Sequence, residues 1–195
     1  MGPHQRRAKR PGMEDRPPST GTDVRLWSRV AAFYDPLMRL SGWHRAQAAF
    51  GEGLTEVLDV GCGTAFLGSV VGPGYIGVDR EVVMLARARA PRVVAADACL
   101  LPFRDHSVDT VASTGFLGLV PPGVRAQILR EMARVCRRDV RVLEPIAGLT
   151  RASALTLSRT PIQPAEFAAA GLQATIGSPV YYGLYAPVVA RPVRL

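Results

Sequence analysis

The 195-residue sequence has few of the residues that build covalent staples or metal sites. Its three cysteines, Cys62, Cys99 and Cys136, are odd in number and form no Cys-x-x-Cys pair. That argues against a disulfide framework and for a reduced, cytoplasmic protein. The three histidines (His4, His44 and His106) are scattered, so no structural zinc is expected and no metal ligands are assigned. There is no run of about 18 apolar residues, so no membrane span is expected. Lysine is almost missing: Lys9 is the single one among 24 basic residues, and the net charge is +8. Residues 1–24 lack hydrophobic periodicity and any apolar stretch of the secretory-signal kind, and read as a disordered basic leader. Arg6, Arg7, Lys9 and Arg10 cluster there and could touch nucleic acid or an anionic surface, but they read first as a solvated tail with a bias towards arginine.

What is present is a core-forming pattern. Apolar residues make up 48% of the chain, and residues 25–195 are the right length for one domain. Leu26, Val30, Phe33 and Leu37 recur at helical spacing, with Pro36 expected to split the stretch into helices at roughly 25–34 and 36–50. Strands and helices then alternate. "EVLDV", "YIGVD", "RVVAAD", "SVDTVAST" and "VRVLEP" read as strands, separated by helices in "TAFLGSVV", "REVVMLARARA" (closed by Pro91) and "PPGVRAQILREMARVC". The last of these sets Ile128, Met132 and Val135 on one face. "PAEFAAAGL" reads as a helix capped by Gly171, and "QATIGSPVYYGLYAPVVA" as two strands joined by a turn. The expected fold is α/β: a single Rossmann-like doubly wound sheet, mostly parallel, ending in an antiparallel hairpin. Its parts are N-terminal helices at 25–50, a cofactor-binding core at 51–147, and a C-terminal helix and hairpin at 148–195.

"VLDVGCGTAFLG", residues 57–68, runs a strand into a glycine turn. In open parallel sheets, ligands lie beyond the carboxyl ends of the strands where strand order reverses. Gly61 and Gly63 match the first two glycines of a dinucleotide fingerprint, but Phe66 takes the third position, which argues against a pyrophosphate. No Gly-Lys-Ser/Thr follows, so a phosphate loop fails as well. A nucleoside without phosphate remains. Asp79 ends the second strand, 20 residues after Asp59, where a carboxylate grips ribose hydroxyls. Asp97 ends the third strand, placed to accept from an adenine amino group, with the Ala98 N–H available to a ring nitrogen. Asp59 either holds the turn or faces a positive ligand group.

Together these stretches resemble the class I S-adenosylmethionine-dependent methyltransferases over about residues 24–191. "VLDVGCGTA" resembles the first motif, "GVDRE" the ribose-binding second, and "AADACLLPFRDHSVDTVAST" the third and fourth. "SRVAAFYDPLMRL", mainly through Phe33, Tyr34 and Asp35, is similar to the quinone-biosynthesis and related type 11 enzymes. Three departures stand out: Ala65 replaces a glycine of the first motif, "CRRDV" occupies the usual Lys-Pro-Gly-Gly turn, and the C-terminal cover is short. The resemblance implies S-adenosyl-L-methionine as cofactor. Asp59, Gly61 and Gly63 would line its methionine part, with Cys62 a small filler in the turn. Asp79 would hold the ribose, Asp97 and Ala98 would meet the adenine, and Arg80 or Leu101 would flank its ring. Thr114, Gly115 and Phe116 would close over the methyl donor.

Methyl transfer from a sulfonium needs alignment more than a nucleophilic residue. Tyr34 is a candidate aromatic wall for the sulfonium. If the acceptor must lose a proton, Tyr34, His44 and Glu144 are the candidate bases. Tyr181, Tyr182 and Tyr185 form either an acceptor wall or ordinary strand packing. The reading is a methyltransferase acting on a small molecule. An RNA or protein methyltransferase docking through the basic leader is one alternative, and a non-catalytic cofactor-binding protein of this fold is another.

Overall fold

The computed structural model describes residues 33–151 and 160–193. The expected leader, and most of the first expected helix, lie outside them. The described residues form one seven-stranded sheet, from β1 (Val57–Val60), β2 (Tyr75–Asp79), β3 (Val93–Ala95), β4 (Val108–Thr114), β5 (Cys136–Glu144), β6 (Leu172–Ile176) and β7 (Ala186–Pro192). Strand order is β3-β2-β1-β4-β5-β7-β6. The first five run parallel, and β7 enters antiparallel between β5 and β6. The order reverses between β1 and β4, so the crevice at the strand ends opens there. All four residues of β1 are buried, as expected of a strand covered on both faces.

Side chains of β1 alternate between two cores. Leu58 and Val60 join Val111, Val140 and Val142 under the helices α5 (Pro122–Val135) and α6 (Pro164–Ala169), which contribute Ile128, Leu129, Met132 and Phe167. Val57 points the other way, to Leu54, Leu67 and Tyr75. Each fully buried side chain of this kind contributes about 1.5–3 kcal/mol through burial.

The N-terminal helices divide later than the proline suggests. Helix α1 (33–40) runs through Pro36, and the break falls at Gly42, in left-handed conformation (φ 82°), before α2 (Trp43–Gly51). Two crossover helices are short, α3 (Gly68–Val71) and α4 (Val82–Leu85). After α4 the chain tightens into i→i−3 bonds, Arg87 to Met84 and Ala88 to Leu85. The Arg89 amide then donates to the Thr64 carbonyl at 2.9 Å instead of continuing the helix. "CRRDV" is not a turn either: α5 passes directly into β5 at Cys136, which is already extended (φ −73°, ψ 133°). The C-terminal hairpin forms as read, with Ile176 opposite Val188 and Leu172 opposite Pro192. Gly171 sits after α6 at φ 74°.

Candidate functional site

The glycine turn after β1 is held by the end of β2. The N–H groups of Gly61 and Cys62 both donate to the Val78 carbonyl, at 2.8 and 3.0 Å. The Gly63 N–H donates to Asp79 Oδ2 at 2.8 Å, and the Glu81 N–H to Oδ1 at 2.9 Å. Gly61 and Gly63 are left-handed (φ 73° and 54°), and so is Ala65 (φ 55°). Phe116, entering from the end of β4, covers the turn: a Cβ on Gly61 would lie 2.1 Å from its Cγ. The backbone at Gly61 is thus available only to a residue without a side chain.

The acids gather around this turn. Asp59 is 2% exposed. Its Oδ2 accepts the Tyr75 hydroxyl at 2.8 Å, while Oδ1 is buried without a hydrogen-bond partner among the described residues. Burial outweighs the Tyr75 bond and pushes the Asp59 carboxyl up to about 7. Burial also raises Asp79, against its two backbone donors. Asp97 Oδ1 accepts the Cys99 N–H at 2.9 Å, fixing the turn that carries half-buried Ala98. Arg80 is exposed and reaches Glu81 at 3.2 Å. Cys62 is a thiol raised far up by burial, and a Cβ on Gly77 would lie 2.8 Å from its sulfur; it fills space rather than attacking. Across the crevice, Thr114 Oγ1 accepts Gln47 Nε2 at 2.8 Å. The Gly115 N–H donates to the Leu143 carbonyl, and a Cβ on Gly115 would lie 3.0 Å from Trp43 Cζ2.

The three candidate bases stand in different places. Tyr34 lies within electrostatic reach of Asp35, Asp79, Asp59 and Tyr181, and burial with those charges pushes its phenol up to about 12. It therefore holds its proton at neutral pH. The His44 ring stacks on Phe66, centroids 3.8 Å apart and planes within 3°. Burial lowers its pKa, and its Nε2 lies 3.9 Å from Asp35 Oδ1. Glu144 is fully buried. It accepts the N–H groups of Phe116 (2.7 Å), Leu117 (2.8 Å) and Gly118 (3.2 Å), while burial pushes its carboxyl up to about 7. Its oxygens hold the segment after β4.

Three groups were not evident from sequence as parts of the site. Asp35 ties α1 to the glycine turn: Oδ1 accepts Thr64 Oγ1 and Oδ2 accepts Arg89 Nε, each at 2.7 Å. Arg125, 1% exposed, grips Glu166 with two 2.7 Å bonds and donates to the carbonyls of Leu117 and Thr160. Trp43 packs on Tyr181 and Tyr185, with ring centroids 5.2 and 4.5 Å away. The only sequence signal for these was the Phe-Tyr-Asp triplet, because long-range pairing leaves no local spacing to read.

The left-handed glycine turn at the switch point, the carboxylates of β1 and β2, and an antiparallel seventh strand give the described residues the fold of the class I S-adenosylmethionine-dependent methyltransferases. Residues 58–143 match the family model described as a methyltransferase domain. No curated protein matches the chain significantly in sequence. Among solved structures, a SAM-dependent methyltransferase from Thermotoga maritima superposes with TM-score 0.67 at 14% identity, covering 85% of this chain and 98% of that one. A chain of the Haloferax volcanii complex between the Trm112 methyltransferase activator and a methyltransferase gives 0.66 at 19%, covering 88% and 98%. An O-methyltransferase from neocarzinostatin biosynthesis, solved with S-adenosyl-L-homocysteine and 1,4-dihydroxy-2-naphthoic acid, gives 0.61 at 20%, covering 88% and 60%. At these identities the likeness is one of fold. The cofactor is S-adenosylmethionine, and the residues present fit it: beside the glycine turn, Asp59 Oδ1 is a buried acceptor without a partner among the described residues. No helix among the described residues is long and apolar enough to cross a membrane.

Proposed function

We propose that the protein methylates a small molecule, and that the ring wall of Tyr34, Trp43, Tyr181 and Tyr185 over the β1/β4 crevice carries this reading. S-adenosylmethionine, when bound, supplies an electrophilic methyl group on a sulfonium. The chain's own residues then bind, orient and exclude water. Asp59 faces the amino-acid end, Asp79 the ribose hydroxyls, and Asp97 with Ala98 the adenine. Arg80 flanks the ring, Cys62 fills the turn, and Thr114 with Gly115 borders the donor end. Tyr34, a neutral phenol, lends its ring face to positive charge, a contact worth on the order of 0.5–2 kcal/mol. His44 and Glu144 act through position: His44 props Phe66, and Glu144 anchors the Phe116 segment. Alignment supplies the rate, and the acceptor's proton leaves to solvent.

The wall closes the crevice with aromatic surface, which suits a small planar acceptor better than a polymer strand. The naphthoic acid bound by the neocarzinostatin relative is consistent with that choice. Calorimetry with S-adenosylmethionine, followed by a methyl-transfer screen over phenols, quinones, amines and RNA, tests the reading. Wild type is expected to bind the cofactor, Asp79→Ala to bind it at least about tenfold more weakly, and methylation to be confined to small molecules. Methylation of RNA alone would sink the proposal.

A further inference from the structure

Arg137 and Arg138 fall in the "CRRDV" stretch, where the chain departs from the family pattern, and the cofactor crevice makes no use of them. The pairing of β4 with β5 slips at this point. Val108 pairs with Cys136 and Thr110 with Asp139, so Arg137 and Arg138 together stand opposite Asp109. This is a β-bulge, a feature rare between parallel strands and one that re-aims side chains. Consecutive strand residues ordinarily face opposite sides of a sheet. At the bulge both arginines line one cleft, of about 590 Å³, whose lining Asp109, Arg191 and Pro192 complete. Arg191 arrives on β7, one residue past Ala190, which pairs with Val140.

The two bulge arginines are held in place and still reach water. Arg137 pairs with Asp109, and Arg138 donates to Thr110 Oγ1 at 3.1 Å, yet their side chains are 53% and 57% exposed. Asp139 is buried beneath them, where it accepts Thr110 Oγ1 at 2.8 Å and has Arg141 at 3.2 Å to balance its charge. The lining itself sets three guanidiniums against one carboxylate, a net charge of +2.

We propose that this cleft is a second ligand site, separate from the methyl-donor crevice, and that it binds a small phosphate monoester. Such a group carries about −1.5 to −2 charges at pH 7, which matches the lining, whereas a carboxylate leaves half of that charge unmet. Guanidinium forks meet phosphate oxygens in paired bonds. The volume is that of a small-molecule site, with room for a sugar beside the phosphate. The cleft sits at the amino ends of β4 and β5, and the cofactor crevice at their carboxyl ends. Asp109 precedes Thr114 by five residues of β4, roughly 17 Å of strand. No direct methyl transfer spans that distance, so the ester bound here is not the methyl acceptor.

The test uses the full chain in excess S-adenosylhomocysteine, which keeps the probes out of the crevice, and two probes, ribose 5-phosphate and ribose. Dissociation constants are measured by calorimetry at one fixed salt concentration for wild type, Arg138→Gln, Arg191→Gln and Asp109→Asn. Affinity for S-adenosylhomocysteine, measured on each, is expected to stay unchanged. Wild type should prefer ribose 5-phosphate by about tenfold or more, and each arginine substitution should weaken its binding about tenfold. Asp109→Asn removes the acid of the lining and releases Arg137, so it should tighten binding about threefold or more. Equal binding of the two probes, binding of neither, or a phosphate preference that survives both arginine substitutions overturns the proposal. A single-stranded RNA that displaces ribose 5-phosphate, with an affinity falling steeply with salt, overturns it in favour of a polyanion surface.

Discussion

Ala65 shows how one backbone dihedral explains a departure from a family pattern. The third glycine of the first motif is replaced here, yet the conformation that favours glycine remains, at φ 55°. Ala65 is fully buried, so its methyl group is packed while its backbone is strained. Ala65→Gly relieves about 1–2 kcal/mol of strain but gives up about 0.4–1 kcal/mol to unfolded-state entropy and about 0.8 kcal/mol of methyl burial, so the expected net lies within about 0.5 kcal/mol of zero. Urea unfolding of the two chains measures it, and a glycine variant less stable by about 1.5 kcal/mol or more contradicts the strain argument. Gly61 is the opposite case. A Cβ would meet three atoms of Phe116 between 2.1 and 2.6 Å, so Gly61→Ala forces Phe116 out of place. Overpacking of this kind costs about 1–3 kcal/mol. The displaced ring should also abolish binding of S-adenosylhomocysteine, read by calorimetry.

At the scale of elements, the segment after β4 depends on two buried charges. Glu144 holds three of its N–H groups from β5, and Arg125 holds its Leu117 carbonyl from α5. Arg125 also joins α5 to α6 through Glu166, whose Oε1 accepts the Gln163 N–H that starts α6. Arg125→Met leaves Glu166 and two carbonyls without their donor and is expected to cost about 3–5 kcal/mol. Arg125→Lys keeps the charge but not the fork, and should lose less. Unfolding curves in urea decide the order, and a neutral Arg125→Met would show the network to be incidental. None of this was legible in sequence, where Arg125 reads as one more arginine in an arginine-biased chain. The strands were legible, because apolar runs ending in an acid or glycine are local signals. The helix lengths were not: α4 stops where the Arg89 amide turns to Thr64, a contact made 25 residues upstream. The start of β5 was hidden too, since "CRRDV" resembles a polar turn until its pairing with β4 is known.

For the whole molecule, the acids at the strand ends were legible because each closes its own apolar run, whereas the proposed acceptor wall draws on α1, α2 and the β6–β7 loop. That assembly also leaves a buried acid with a consequence for the pH dependence of folding. Asp59 titrates near 7 in the folded chain and near 3.8 when exposed. A group raised in this way contributes its full stability below about pH 4 and loses it as pH climbs to about 7, at up to about 1.4 kcal/mol per pH unit. Glu144 acts in the same direction, and His44, lowered by burial, acts in the opposite one. The wild-type curve therefore mixes several groups, and the difference between two chains isolates one. Asp59→Asn is the neutral equivalent of the protonated acid and still accepts the Tyr75 hydroxyl. It should lie nearest to wild type in urea unfolding at about pH 4 and exceed it at pH 8. A difference that stays constant with pH would place the titration elsewhere. The same substitution removes the negative charge proposed to face the cofactor's amino group, so it should weaken S-adenosylhomocysteine binding most at pH 8, where the wild-type carboxylate is ionised. Higher stability with poorer binding in one variant is the signature of an acid kept in the core for its ligand rather than for the fold.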